Sequence, residues 1–341
     1  MVCPVPLRGS ERVLLGHGSG GRLSGELLRD VFLKVFRSPV LERLDDQAVL
    51  EIGSERIAFT TDSFVVQPLF FRGGDIGSLA VHGTINDLAM GGAVPLFLSA
   101  AFILEEGLPM ETLARVAESM ARAAEAAGVE IVTGDTKVVE RGKGDGLFIT
   151  TTGIGRVPAG VELSASKVRV GDVVLVSGYV GDHGVAILSE RENIGFETSV
   201  ASDSAALHGL AQAVLRAAPG VRVMRDPTRG GVSSATNELA EKAGVGIELE
   251  ESAIPVRESV RAACELLGFD PLYVANEGKL IAVVAAEEAS AALAAMRGHE
   301  LGRDAARIGV VVEGRGVRVR TAFGGRRMVE MLDGDQLPRI C

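Results

Sequence analysis

The clearest periodicity in the chain lies between Pro109 and Ala127, where Leu113, Val116, Ala117, Met120 and Ala124 fall on one helical stripe. Proline suits the first turn of such a helix and Gly128 supplies its stop. Val129-Glu130-Ile131-Val132-Thr133 then reads as a strand. Earlier, Leu27, Val31 and Val35 recur every four positions from Ser24, predicting an amphipathic helix fed by Gly16-His17-Gly18-Ser19-Gly20-Gly21. Arg56-Ile57-Ala58-Phe59-Thr60-Thr61 and residues 146–157 read as strands, and Gly73-Gly74-Asp75 opens a helix toward Met90.

Periodicity fades from Pro158 to Gly171, which marks a domain boundary. Beyond it come a strand at Asp172-Val173-Val174-Leu175-Val176-Ser177, helices near 203–217 and 230–243, and strands at Val245-Gly246-Ile247-Glu248-Leu249 and Leu280-Ile281-Ala282-Val283-Val284. Ala126-Ala127-Gly128-Val129 and Lys242-Ala243-Gly244-Val245 echo one another, each closing a helix and entering a strand. The alternation lacks the strict strand-helix-strand spacing of a doubly wound sheet, so the expected fold is α+β, two domains with mixed sheets and flanking helices. The expected divisions are a glycine-rich segment with its helix (1–43), a first domain (44–157), a second α+β domain (158–321) and a mobile tail (322–341).

Composition narrows the class. Lys+Arg 35 against Asp+Glu 45 leaves a net charge of −10, and the absence of Trp with only 2 Tyr disfavours a stacking platform, so no nucleic-acid partner is expected. The longest apolar stretch, Val94 to Leu104, is too short for a membrane span and is broken by Pro95 and Ser99. No signal-peptide pattern is visible at the start, so a cytoplasmic location without membrane partners is expected. Cys3, Cys264 and Cys341 form no CxxC pair and indicate neither a disulfide framework nor a zinc site. Cys264, within a helical pattern, reads as a small buried hydrophobe. Glycine is in excess, 43 of 341 residues, which means that many backbone positions need close approach.

Candidate chemistry gathers around aspartates at strand ends and turns: Asp46 beside Asp45, Asp62, Asp87 and Asp135. Hard oxygen ligands without histidine suit Mg²⁺ held between carboxylates and phosphates, although any one of them alone equally fits a turn or helix cap. No GxxxxGK[ST] loop is present. The glycine run at 16–21 and the segment Asp226-Pro227-Thr228-Arg229-Gly230-Gly231 each precede a helix and offer backbone N–H groups to phosphate. Lys137 and Glu277 are candidate proton-transfer groups.

His17-Gly18-Ser19-Gly20-Gly21, Thr61-Asp62-Ser63, Asn86-Asp87-Leu88-Ala89, Gly134-Asp135-Thr136-Lys137, Gly181-Asp182-His183-Gly184, Asp226-Pro227-Thr228-Arg229-Gly230-Gly231 and Asn276-Glu277-Gly278-Lys279 occur in that order along nearly the whole chain. Together they resemble the aminoimidazole ribonucleotide synthetase-like (PurM-like) ATP-binding superfamily. The terminus Pro338-Arg339-Ile340-Cys341 narrows the resemblance to the HypE family of hydrogenase maturation carbamoyl dehydratases.

The resemblance implies a PurM-like fold, a homodimer formed by the first domains, and ATP and Mg²⁺ as cofactors. It implies His17, Gly18, Gly20, Gly21, Asp62, Asn86, Asp87, Asp135, Thr136, Asp226, Arg229 and Gly230 for nucleotide binding, with Asp46, Asp62, Asp87 and Asp135 on the metal. Cys341 would carry a carbamoyl group received from the carbamoyltransferase HypF, with Lys137 and Glu277 moving protons as ATP drives dehydration to a thiocyanate. The cyano group would pass to the HypC–HypD complex for the [NiFe]-hydrogenase iron. Two alternatives stay open: a related ATP-dependent enzyme acting on a small diffusible substrate, and a nucleotide-dependent assembly scaffold.

Overall fold

A computed structural model describes residues 12–191, 200–332, 334 and 339–341; Cys3, Asp333, Asp335 and Pro338 lie outside the described residues. After a 3-10 turn at Leu15–Gly18, the chain is helical through α1 (Arg22–Leu27), a π turn (Leu28–Phe32) and α2 (Leu33–Phe36). This is the helix expected from Leu27, Val31 and Val35, but its stripe faces outward: Val31 is 50% and Val35 71% exposed, and neither joins a core cluster among the described residues.

The first domain follows with β1 (Ala48–Ile52), β2 (Glu55–Phe64), the short pair β3 (Phe70–Phe71) and β4 (Gly74–Asp75), α3 (Ile76–Met90), β5 (Val94–Glu105), α4 (Met110–Ala127), β6 (Glu130–Val139) and β7 (Leu147–Arg156). Five strands form a sheet ordered β1-β2-β7-β5-β6, antiparallel except for the parallel β5/β6 pair that α4 connects. Asp75 caps α3 by accepting the Gly77 and Ser78 N–H groups, as the Gly-Gly-Asp turn predicts. Nearly every side chain of α3 is buried, because the sheet lies on one side of the helix and the second domain on the other. Phe64, Leu79, Ile85, Leu98, Val116, Met120 and Ile149 make the core between helices and sheet. The apolar run at 94–104 becomes β5, with Pro95 beside a register shift in its pairing with β7.

The second domain contains β8 (Val173–Val176), α5 (Asp182–Arg191), α6 (His208–Ala217), β9 (Val221–Arg225), α7 (Gly231–Ala243), β10 (Gly246–Glu250), α8 (Glu258–Leu267), β11 (Ile281–Val284), α9 (Ala289–Arg297), β12 (Ala306–Val312), β13 (Gly316–Arg320) and β14 (Arg326–Val329). Its seven-stranded mixed sheet runs β14-β13-β10-β12-β8-β11-β9. α6 and α9 contribute to the core on one side and α7 to the core on the other. The echo between the halves is structural: Val129 N–H returns to the Ala124 carbonyl after α4, and Val245 N–H to the Ala240 carbonyl after α7. β14 lies inside the segment expected to be a mobile arm, so the chain stays in the sheet through Val329. Among the described residues no helix is long and apolar enough to cross a membrane. Cys264 is buried on α8, and burial pushes its thiol up to about 11.

Candidate active site

A cavity of about 1240 Å³ opens where the two domains meet the N-terminal helix. Three elements deliver its acids. β2 alternates, so Thr60 and Asp62 point with Ala58 and Phe64 toward the helices while Thr61 and Ser63 point away. Asp87 comes from the last turn of α3, Asp46 precedes β1, and Asp226 follows β9. One carboxylate oxygen each from Asp46, Asp87 and Asp226 lie within 4.8 Å of one another. The Thr60 hydroxyl bridges this group, 2.8 Å from Asp87 Oδ2 and 2.9 Å from the Asp46 carbonyl.

Gathering these acids in one buried place is costly. Burial, and then Asp226 and Asp62, push the Asp87 carboxyl well above its usual range. Burial lifts Asp226 to about 6 against the lowering effect of Arg225, and raises Asp62 against Arg229. Glu277, only 2% exposed, is raised by burial first and by Asp226 next, and its Oε1 has no hydrogen-bond partner among the described residues. The arrangement fits Mg²⁺: three hard oxygens within one ion's reach, whose mutual repulsion a divalent cation would relieve.

Of the cations that line the cavity, Arg225 and Arg229 act on Asp226 and Asp62. Arg225, 7% exposed, grips Asp46 and also donates to Glu238 at 2.7 Å. Arg229 faces the open cavity; Cys341 is the largest influence raising its pKa, ahead of Asp62, Glu277 and Asp87. Arg229 also donates to the Gly18 carbonyl at 2.8 Å. The turn that presents it demands glycine at its end, for Gly231 has φ +60° and a Cβ there would meet the Leu272 and Val274 carbonyl oxygens at 2.6 Å.

The glycine segment is docked. Arg22 N–H donates to the Leu332 carbonyl at 2.8 Å, an approach so close that a Cβ on Gly21 would stand 2.1 Å from that oxygen. Gly20 and Gly21 line the cavity; Gly18 and Gly230 line a small adjoining one; His17 lines neither, its Nδ1 accepting the Leu14 N–H. The terminus comes inward too: Cys341 lines both cavities.

Besides His17, four more expected residues lie outside both cavities. Asn86 makes no direct cavity contact, because its amide donates to the Ala205 and Glu277 carbonyls and its oxygen accepts the Leu207 N–H. Asp135, Thr136 and Lys137 sit on β6, an edge strand exposed over nearly its whole length. Lys137 Nζ lies 2.6 Å from Asp135 Oδ2, and that bond holds the Asp135 carboxyl low. Asp135 and Lys137 share a sheet face with Thr61 and Ser63, opposite to Asp62. Sequence reasoning missed Arg225 and Thr60, which look like ordinary strand residues, and placed Asp226 with the nucleotide rather than with the acids.

This division of labour, with acids from both domains around one junction cavity, defines a class. The model of the AIR synthase related protein N-terminal domain matches residues 44–157 and that of the C-terminal domain matches 169–322, so the chain belongs to the AIR synthase related proteins. Within that class it belongs to the carbamoyl dehydratase HypE family. It is 61% identical to carbamoyl dehydratase HypE of Azotobacter vinelandii, over 95% of this chain and 96% of that one. A crystal structure of a HypE–HypF complex matches with TM-score 0.86 and 47% identity, covering 90% of this chain and 99% of that one. A crystal structure of hydrogenase maturation protein HypE in complex with ATP matches with TM-score 0.82 and 50% identity, covering 97% of this chain and all of the other, 100%.

Proposed function

We propose that this chain uses ATP to dehydrate a carbamoyl group carried on the Cys341 sulfur, leaving a thiocyanate for the [NiFe]-hydrogenase iron. The observation that carries the reading is the presence of Cys341 in the same cavity as Asp62, Asp87, Asp226, Arg229 and Glu277. A carrier thiol beside a nucleotide-type acidic cluster has no purpose in an enzyme that acts on a diffusible substrate.

The reaction balances as S–CO–NH₂ plus ATP giving S–C≡N, ADP and phosphate. The amide oxygen is a poor leaving group until it accepts the γ-phosphoryl group, after which it departs as phosphate. Asp46, Asp87 and Asp226, with Asp62 beside them, would hold Mg²⁺, which supplies charge neutralisation on the phosphates. Arg229 adds fixed positive charge next to the tail. Two protons must leave the nitrogen. Glu277, buried with Oε1 unpartnered among the described residues, can accept one in its ionised form.

Lys137 is the second proton-transfer candidate in this reading, with a purely electrostatic role as the alternative, and it would come from another copy of the chain. The open face of the first sheet exposes Phe59, Phe97, Ile103 and Ile154, each 38% to 46%, and Asp135 and Lys137 lie on that face. A homodimer packed over it would cover the apolar patch and bring Asp135, Thr136 and Lys137 to the opposing copy's cavity. HypF is the proposed carbamoyl donor, in keeping with the structure of a related HypE–HypF complex. HypC–HypD is the proposed acceptor.

The test is mass spectrometry of the C-terminal peptide after incubation with HypF, carbamoyl phosphate and ATP. Gain of a carbamoyl group followed by ATP-dependent loss of water is expected. A peptide that is carbamoylated but never dehydrated would sink the reading.

A further inference from the structure

The Gly181-Asp182-His183-Gly184 motif is left without a task by the chemistry above, yet it lies under the tail. His183 is fully buried, and its Nε2 lies 2.7 Å from the Ile340 carbonyl, one residue before the thiol. We propose that His183 is a positioning residue which holds the terminal segment in the cavity and thereby sets where Cys341 points.

The segment is seated in three ways. Its backbone pairs with residues 65–67: Val65 N–H donates to Cys341 O at 3.0 Å, and Gln67 N–H to Arg339 O at 3.2 Å. Arg191 Nη2 also donates to Arg339 O at 2.6 Å. The Ile340 side chain, 5% exposed, enters the first domain's core with Ile187 and Ala275. Backbone pairing is indifferent to sequence, so register comes from Ile340, its side chain in the core and its carbonyl on His183, together with Arg339, whose guanidinium donates to the Val65 carbonyl at 3.0 Å and pairs with Asp145.

The proton on His183 follows from its partners. A carbonyl only accepts, so Nε2 carries the hydrogen. Burial lowers the imidazole pKa, leaving a neutral ring whose Nδ1 must accept, and the Ser202 hydroxyl lies 2.8 Å away to donate. Ser204 N–H in turn donates to Ser202 Oγ at 3.1 Å. Phe71 meets the ring edge-on, with centroids 5.7 Å apart and planes at 90°. With the tail seated, tautomer and ring plane are therefore both fixed.

This inference deepens the carrier role proposed for Cys341, but its first test needs neither partner nor dehydration chemistry. Full-length protein is alkylated with iodoacetamide in the absence of nucleotide, and peptide mapping follows Cys341, Cys264 and Cys3 separately. His183→Leu leaves the Ile340 carbonyl without its donor and should raise the Cys341 rate about tenfold with Cys264 unchanged. His183→Gln, whose amide can still donate, should recover most of the protection, and Ser202→Ala should give an intermediate rise. In the full reaction His183→Leu should slow dehydration while leaving carbamoylation intact, a split that general loss of stability would not produce. Equal Cys341 rates in the wild type and His183→Leu would overturn the proposal. A rise shared by Cys264 in every variant would overturn it as well, because His183 would then serve the fold and not the tail.

Discussion

Arg229 holds the carbonyl of Gly18 at 2.8 Å, so the cation that faces the acidic cavity also anchors the glycine-rich segment on its rim. Arg229→Ala should therefore have two effects at once. Loss of positive charge beside Asp62 and Cys341 should raise the KM for ATP at least tenfold. The freed segment should be cut faster near residues 16–21 in limited proteolysis. A change in KM with unaltered proteolysis would separate the two roles.

The acidic cluster makes a signed prediction about pH. Asp226 is raised from the ordinary 3.8 to about 6, so between those values the folded chain binds more protons than the unfolded one. Stability from this group is fully present at low pH and is lost as pH rises through about 6. Asp226→Asn should thus stabilise the metal-free protein at pH 7 by about 1–3 kcal/mol, the gain vanishing near pH 4, while ATP turnover is lost. Thermal melts across pH check this. Protons and Mg²⁺ compete for the same oxygens, so stabilisation by added Mg²⁺ should grow between pH 5 and pH 7.

Glu277→Gln keeps the shape of a fully buried side chain and removes its charge. The fold should persist or gain stability, HypF-dependent carbamoylation should continue, and dehydration should fall by about 10²-fold or more. Quenched-flow mass spectrometry of the terminal peptide resolves the two steps. Unchanged dehydration would remove Glu277 from the proton path.

The open sheet face predicts oligomeric behaviour. Phe59→Glu places a charge in the exposed apolar patch and should yield monomers by light scattering, with dehydration lost. If Lys137 serves the opposing copy, mixing and reassembling inactive Lys137→Ala and Glu277→Gln chains should restore about a quarter of wild-type activity, because half of the dimers would hold one intact site. No recovery after verified exchange would return Lys137 to its own chain.

Local architecture was legible because its signals are local. The stripe Leu113, Val116, Met120 and Ala124 with Gly128 after it marks α4 almost to the residue, and Asp75 announces α3. Junction features were not. Asp226 joins Asp46 and Asp87 only because β9 ends beside the other domain, a proximity that one-dimensional spacing does not encode. Asn86 looked like a ligand and instead ties α3 to backbone at Ala205, Leu207 and Glu277. The start of the tail was not legible either: β14 claims Arg326–Val329, and Ile340 packs in the core, both through contacts distant in sequence.

The origin of the three clustered oxygens carries one more consequence. Asp46 and Asp87 belong to the first domain and Asp226 to the second, and they meet within 4.8 Å. A rotation of one domain by a few degrees would scatter them. A divalent cation seated there would act as a clasp across the joint, and its departure would leave like charges pressing the halves apart. The same three carboxylates would thus serve as ligand set and as spring.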